Sequence, residues 1–235
     1  MKRGLIVIWT AICLVSNLCF AVPGTFDVAA DFSATNNPNG VWSYGWSSTL
    51  TSALNLYPDN GKIYEIINID VWADLGHISS YSPNVAHNGT GIAITHPNGV
   101  IWQPGQFSLH PGQSDEYSHA RWTAPYAGTF DIAAMFTGID FGGGTTTDVH
   151  VLHNSISLFD GLVNGFGNTS SFSTTVSVGK GDIIDFAVGY GSNQNFYNDS
   201  TALSATISAI PAPGALILGG IGAGFVGWLR RRRTL

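Results

Sequence analysis

Apolar side chains recur at every second position through most of the central chain, and that period limits the fold more than any other feature. Phe130, Ile132, Ala134 and Phe136 fall on one face of a run. Phe172, Thr174, Val176 and Val178 share a face against Ser171, Ser173, Thr175 and Ser177. Ile184, Phe186, Val188 and Tyr190 repeat the pattern, as do Leu203, Ala205 and Ile207, and earlier Ile63, Ile67, Ile69 and Val71. Successive strand side chains point to opposite faces, so this alternation predicts half-buried strands. Turn chemistry separates the runs at Pro58-Asp59-Asn60-Gly61, Pro97-Asn98-Gly99, Gly142-Gly143-Gly144, His153-Asn154-Ser155 and Gly179-Lys180-Gly181-Asp182. Such closely spaced turns, with no amphipathic helix between residues 22 and 209, predict an all-β fold: a single antiparallel β-sandwich over 22–209.

The two ends have a different character. Lys2 and Arg3 precede an apolar run over 5–15, and Ala21 closes a small-residue site ahead of Val22. A charged head, a short apolar stretch and a small-residue site predict a helical signal peptide over 1–21, cut between Ala21 and Val22. At the other end, Pro211, Ala212 and Pro213 precede an apolar, glycine-rich run over 215–229, followed by Arg230, Arg231, Arg232 and Arg233. Arginine stays on the cytoplasmic side of a membrane. This pattern predicts a C-terminal transmembrane helix with its arginines inside and everything before Pro211 outside.

Charge becomes informative once the ends are set aside. Only Lys62, Arg121 and Lys180 lie between residues 22 and 209, against all fifteen acids, so this span carries −12. A domain this acidic repels phosphate backbones, which argues against nucleic acid as a partner. Both cysteines, Cys13 and Cys19, lie within 1–21. The mature chain is therefore expected to contain no disulfide and no thiolate metal site.

Two resemblances follow from these residues. The order Pro211-Ala212-Pro213, apolar run, arginine cluster resembles the PEP-CTERM sorting signal over 210–235, with Ala212 where that family usually has Glu. The resemblance implies an exosortase-type processing peptidase as partner, and a final place at the cell surface or in an extracellular matrix. Within the central span, Ala120-Arg121-Trp122-Thr123-Ala124-Pro125 leads to Gly128-Thr129-Phe130-Asp131-Ile132, then Asp148-Val149-His150-Val151 and Gly181-Asp182-Ile183-Ile184-Asp185-Phe186. That succession resembles jelly-roll domains of the carbohydrate-binding-module type over residues 100–208. It implies a jelly-roll-like sandwich, a polysaccharide partner and a structural calcium as an optional companion.

Few residues point to catalysis. His150 and His153 are three apart, which on a strand puts them on opposite faces. Glycosidases need two facing carboxylates, and the only glutamates, Glu65 and Glu116, have no evident partner. The expectation is a chain with no catalytic residue and no cofactor; a small exported hydrolase on the same scaffold is the competing reading. Calcium would be held by hard oxygen ligands, for which Asp140, Asp148 and Asp199 are the candidates. Arg121, the lone arginine of the span, should pair with an aspartate. The functional signal is aromatic: Trp42, Tyr44 and Trp46 alternate onto one face, and with Trp102 they form the expected sugar-stacking set. The competing role for the same rings is sandwich core, since Trp is highly buried on average.

Overall fold

The computed structural model describes residues 24–63, 68–77, 82–211 and 213–232. The expected signal peptide with its Ala21–Val22 cleavage site, together with Ala212 and Arg233, lies outside the described residues. The strands are, in chain order, β1 (Thr25–Asp27), β2 (Trp42–Ser47), β3 (Asn55–Leu56), β4 (Asp59–Lys62), β5 (Asp70–Ala73), β6 (Asn84–His87), β7 (Ile94–Thr95) and β8 (Ile101–Trp102). They continue with β9 (Phe107–His110), β10 (Tyr117–Thr123), β11 (Gly128–Gly138), β12 (Thr146–His153), β13 (Ile156–Asn164), β14 (Thr169–Val178), β15 (Ile183–Gly189) and β16 (Thr201–Ile210). One helix, α1 (Pro213–Arg232), ends the described chain.

Residues 25–208 form one compact unit, an antiparallel sandwich. An eight-stranded sheet runs β14-β11-β16-β9-β6-β5-β4, with β1 added on β16; a six-stranded sheet runs β13-β12-β15-β10-β2-β3. From β9 onward, consecutive strands enter opposite sheets until β12 and β13 pair as a hairpin. Counting β9 to β16 as one to eight, the sheets read 1-8-3-6 and 2-7-4-5, the strand order of a jelly roll. The hairpin turns at Asn154 and Ser155, both at positive φ (49° and 68°). A two-residue turn that matches strand twist requires this backbone geometry, and Asn tolerates it.

The alternation read from the sequence sets what is inside. Phe130, Ile132, Ala134 and Phe136 of β11 are buried, as are Ile184, Phe186 and Val188 of β15 and Leu203, Ala205 and Ile207 of β16. Trp42 and Tyr44 are fully buried too, so the expected exposed platform on β2 is core. The reason is the register: Trp42 lies opposite Trp122 and Tyr44 opposite Ala120, on the face that meets the other sheet. There Tyr44 packs on Phe107 at 5.5 Å and Trp122 on Phe130 at 5.1 Å. Arg121 takes its expected aspartate, since its cross-strand partner is Asp185 and the two form a bidentate pair at 2.7 and 2.8 Å.

A second, smaller core lies on the outer face of the larger sheet. Val71, Ala86, Ser108 and Ala202 sit side by side across β5, β6, β9 and β16. By alternation they face away from Trp72, Val85 and Leu203. Trp102 of the short β7–β8 hairpin covers them, and its Nε1–H donates to Ser108 Oγ at 2.8 Å. One turn expectation fails here. Asp59, Asn60 and Gly61 do not form a turn but the edge strand β4, because β5 supplies backbone partners from Asp70 to Ala73.

The C-terminal helix forms where the apolar run predicts it, and Pro213 opens it, as a first-turn position allows. The transmembrane expectation is corrected: no helix among the described residues is long and apolar enough to cross a membrane. Residues 215–229 cover about 22 Å at 1.5 Å per residue, short of a ~30 Å hydrocarbon core. The last turn is already charged with Arg230, Arg231 and Arg232.

Because Trp42 and Trp122 are both fully buried, replacing either by Ala should lower unfolding free energy by ~3–5 kcal/mol. Urea denaturation of each variant checks this, and a change under about 1 kcal/mol would mean that the rings are not core.

Candidate functional site

Strand register gathers one set of loops at a single end of the sandwich. Thr201 lies opposite Leu109, Ser118 opposite Val188, Thr137 opposite Thr169, Thr146 opposite Asn164, and Asp148 opposite Gly189. The segments 111–116, 139–145, 165–168 and 190–200 therefore emerge together. The β7–β8 turn joins them through a bridge between Val100 and Asp140, with Phe141 N–H donating to Gly99 O at 2.9 Å. Gly99 has φ 115°, and a Cβ there would stand 2.5 Å from the Gly142 nitrogen, so only glycine permits this approach.

The loops are held by short polar bonds. Gly165 N–H donates to Thr145 O at 2.7 Å and Gly167 N–H to Gly138 O at 2.8 Å. In the 190–200 loop, Asn193 Oδ1 accepts from Asn195 N–H and Asn195 Oδ1 from Tyr197 N–H, two successive Asx turns. Asp148 Oδ1 accepts from Gly191 N–H at 2.8 Å and fixes the loop's start.

Between these loops lies a cavity of about 410 Å³, within the size range of small-ligand sites. Its walls carry Asn98, Asn198, Gln113 and Asp140, with Trp102, Phe196 and Tyr197 as the aromatic surface. Tyr197 is 65% exposed and its ring lies 4.3 Å from that of Phe196. On the neighbouring loops, Phe141 and Phe166 form an edge-on pair at 6.1 Å, each about half exposed (53% and 52%). Large apolar rings at a loop tip have no core to enter, so such a group marks a contact surface.

Burial tunes the ionisable groups around the cavity. His110, on its wall, is pushed down to about 4 by burial, against a hydrogen bond to Pro111 O. It is neutral at physiological pH. Burial raises Asp140, opposed by the Gly142 N–H that its Oδ1 accepts at 3.0 Å. Asp199 is raised to about 7, first by burial and then by the charges of Asp140 and Asp148, although Thr146 N–H and Oγ1–H both donate to its Oδ1. Its Oδ2 is buried with no hydrogen-bond partner.

The residues expected from the sequence divide among several places. Trp42 and Tyr44 are core, while Trp102 is buried at 2% exposure and borders the cavity. Trp46 is half-buried, stacks on His77 at 3.8 Å and donates from Nε1 to Asp74. The calcium candidates do not form one site. Asp148 is bound by His150, Tyr117 and Gly191, Asp199 by Thr146, and Asp140 by Gly142. No group of three or more His, Cys, Asp or Glu side chains converges to hold a metal among the described residues. His150 bonds Asp148 and Asp160 while His153 bonds Asp182, so the two histidines serve separate contacts. Glu116 is buried and bonds Ser114 N–H and His77; Glu65 lies outside the described residues.

Phe141, Phe166, Phe196 and Tyr197 were not expected from the sequence. The available signal was their setting: each sits beside Gly or Asn in a turn segment rather than in an alternating run. A larger groove of about 680 Å³ opens on the outer face of β16 and β11. Two of its polar side chains are already committed: Asp27 Oδ1 to the Ala29 and Ala30 amides, and Asn88 Nδ2 to three carbonyls.

The fold and this loop end define a β-sandwich with an aromatic, amide-lined cavity. No family model matches the chain, and no curated protein matches it. Among solved structures, the chain is similar to the CBM51 module from Clostridium perfringens GH95 in complex with methyl-galactose, at 16% identity and TM-score 0.36, covering 52% of this chain and 86% of that one. It is similar to the CBM51-2 and INT domains from Clostridium perfringens ZmpB, in complex with GlcNAc, at 15% identity and TM-score 0.37 over 55% of this chain and 28% of that one. A family 35 carbohydrate binding module from Clostridium thermocellum is similar at 10% identity and TM-score 0.31, over 66% of this chain and 98% of that module.

Asp199 makes stability depend on pH in a stated direction. Its carboxyl ionises near 3.9 when unfolded and at about 7 when folded. The folded state therefore binds more protons between those values, and stability falls as pH rises from about 4 to about 7. Asp199→Asn should remove that slope and melt above the wild type at pH 8. Melting curves from pH 4 to 8 decide it, and equal slopes would overturn the assignment.

Proposed function

We infer that this chain is an exported, non-catalytic glycan-binding module whose binding surface is the loop end. One observation carries the reading: Tyr197 is exposed on a cavity walled by Asn98, Asn198 and Gln113, and the exposed pair Phe141 and Phe166 lies on loops of the same end. Sugar rings present apolar C–H faces that pack on aromatic rings, and hydroxyls that pair with amides, which both donate and accept. The surplus of acids over cations in residues 22–209 disfavours anionic polysaccharides. The ligand class is therefore an uncharged glycan.

The hydrolase reading has less support. Asp199 has a raised pKa suited to a general acid, but it is 0% exposed and does not line the cavity. A proton held there has no path to a glycosidic oxygen.

Binding is tested on a neutral-glycan array followed by titration with the best ligand. Phe166→Ala and Tyr197→Ala should each weaken binding by about tenfold, as loss of one ring contact would, with melting temperature nearly unchanged. Unchanged affinity in both variants would remove the loop end as the site.

Export and sorting are part of the same reading, supported by the sequence of the two ends: the Lys2–Arg3 head with its apolar run, and the Pro-Ala-Pro, apolar, arginine succession. The place of action is then the cell surface or an extracellular matrix. Replacing Arg230, Arg231, Arg232 and Arg233 with Gln, or Pro211 and Pro213 with Ala, should block C-terminal trimming in an exosortase-bearing host. Immunoblot size reports the outcome, and wild-type trimming of both variants would end the sorting proposal.

A further inference from the structure

His110 ends β9, and strand alternation sets its direction. Leu109 enters the main core, so Ser108 and His110 lie on the outer face of the larger sheet, where Trp102 donates to Ser108 Oγ. His110 thereby reaches the wall of the loop-end cavity. Its ring is held on two sides. Nδ1 lies 2.8 Å from Pro111 O and 2.8 Å from Ser82 Oγ, whose O–H donates to the same carbonyl at 3.0 Å. Phe196 of the 190–200 loop stands edge-on to the ring at 6.1 Å.

These contacts fix the tautomer. A carbonyl oxygen only accepts, so the Nδ1 beside Pro111 O carries a proton. Burial keeps the ring neutral, with its pKa pushed down to about 4. Nε2 is therefore bare and can only accept. It has no hydrogen-bond partner among the described residues, and it is not sealed among packed side chains as the unpartnered Nδ1 of His119 is. It meets open space, and the open space beside this ring is the cavity. The amides of Asn98, Gln113 and Asn198 on the other walls donate or accept as they turn. His110 instead presents one fixed acceptor.

We propose that His110 is a specificity-determining residue of this cavity: its Nε2 accepts the proton of one sugar hydroxyl, so the cavity takes glycans with that hydroxyl free and rejects those deoxygenated or O-alkylated there. The inference rests on the glycan reading of the loop end. A sugar without the hydroxyl displaces water from Nε2 and returns no donor, which leaves a buried acceptor unpaired. An O-alkyl group likewise brings no proton, and it adds bulk beside Phe196. An amide wall turns to suit such a change. An imidazole pinned at Nδ1 and flanked by Phe196 does not, and a site built to bond one hydroxyl discriminates against its absence.

NMR titration of the full chain tests this, with the methyl glycosides of glucose, galactose and mannose and the monodeoxy analogue at each hydroxyl. For a glycoside that binds, removal of one particular hydroxyl should weaken binding about tenfold. In His110→Phe that ratio should fall towards one, while losses at the other hydroxyls stay as in the wild type. His110→Gln, whose terminal amide reaches near the place of Nε2, should restore part of the preference. Ring-nitrogen NMR of the wild type decides the matter even if His110→Phe misfolds. The free protein should show a protonated Nδ1 and a bare Nε2, and the parent glycoside, but not the critical deoxy analogue, should shift the Nε2 signal. A preference unchanged in His110→Phe would mean that another wall group reads the hydroxyl. That result, or a proton on Nε2 in the free protein, would overturn this inference and leave the glycan reading standing. Array binding with none of the three glycosides bound would also overturn it, because the cavity would not seat a single sugar. No binding to glycosides or array would end the glycan reading, and this inference with it.

Discussion

Trp122 joins the two sheets, and most of the molecule is arranged around it. It projects from β10 in the smaller sheet, packs on Phe130 of β11 at 5.1 Å and on Phe26 of β1 at 5.6 Å, and lies opposite Trp42. Its Nε1–H is buried without a partner, a loss of ~1–3 kcal/mol. Burying an aromatic side chain of 150–250 Å² at about 25 cal/mol per Å² contributes ~4–6 kcal/mol. Packing therefore outweighs the orphaned donor, and the site tolerates it. The same two strands, β10 and β2, are held in register by this row, which fixes where every loop of the smaller sheet emerges.

That register is the link from core to surface. Side-chain period sets which face of a strand is inside, but loop position depends on how far each strand runs before it turns. Strands β11, β13 and β15 all end on the same side because their partners begin there. The glycines at that end serve close approach more than flexibility. A Cβ at Gly138 would meet Gly165 O at 2.4 Å, so the loops bearing Phe141 and Phe166 can touch only if position 138 lacks a side chain, while Gly165 is set by its φ of 108°. The exposed ring pair is a consequence of backbone contact set by the sandwich.

The alternation of Phe130, Ile132, Ala134 and Phe136 was enough to read β11 and its buried face, and His153-Asn154-Ser155 was enough to read a hairpin. The same alternation misled at Trp42, Tyr44 and Trp46. Period two says that three residues share a face without saying which face, and Trp suits either a core or a sugar platform. Partner strands decide between them, and those are set by contacts more than seventy residues away, as between Trp42 and Trp122. Asp59–Lys62 failed for a related reason. Its turn-like composition was overridden by backbone pairing to β5, which no local rule contains. The loop-end aromatics were missed because a lone Phe between glycines has no period to read.

Charge placement ties these levels together. Cations are scarce in the sandwich, and its one arginine is committed to Asp185 on the outer face of the smaller sheet. Other acids are accommodated by burial or by histidine. Asp199 is raised towards its neutral form, while Asp148 and Asp160 share the ring of His150. Burial works against the charged form of His150, but the hydrogen bonds to Asp148 and Asp160 outweigh it and raise its pKa. Its stabilising charge is complete below the usual histidine range and fades as pH rises through the raised value. Asp199 also loses its proton as pH rises, so both groups favour the fold on the mildly acidic side. Asp148 runs the other way: burial opposes its charge, but its hydrogen bonds with His150, Gly191 and Tyr117 outweigh that and lower its pKa, so its hold on the loop through Gly191 is lost as pH falls through the lowered value.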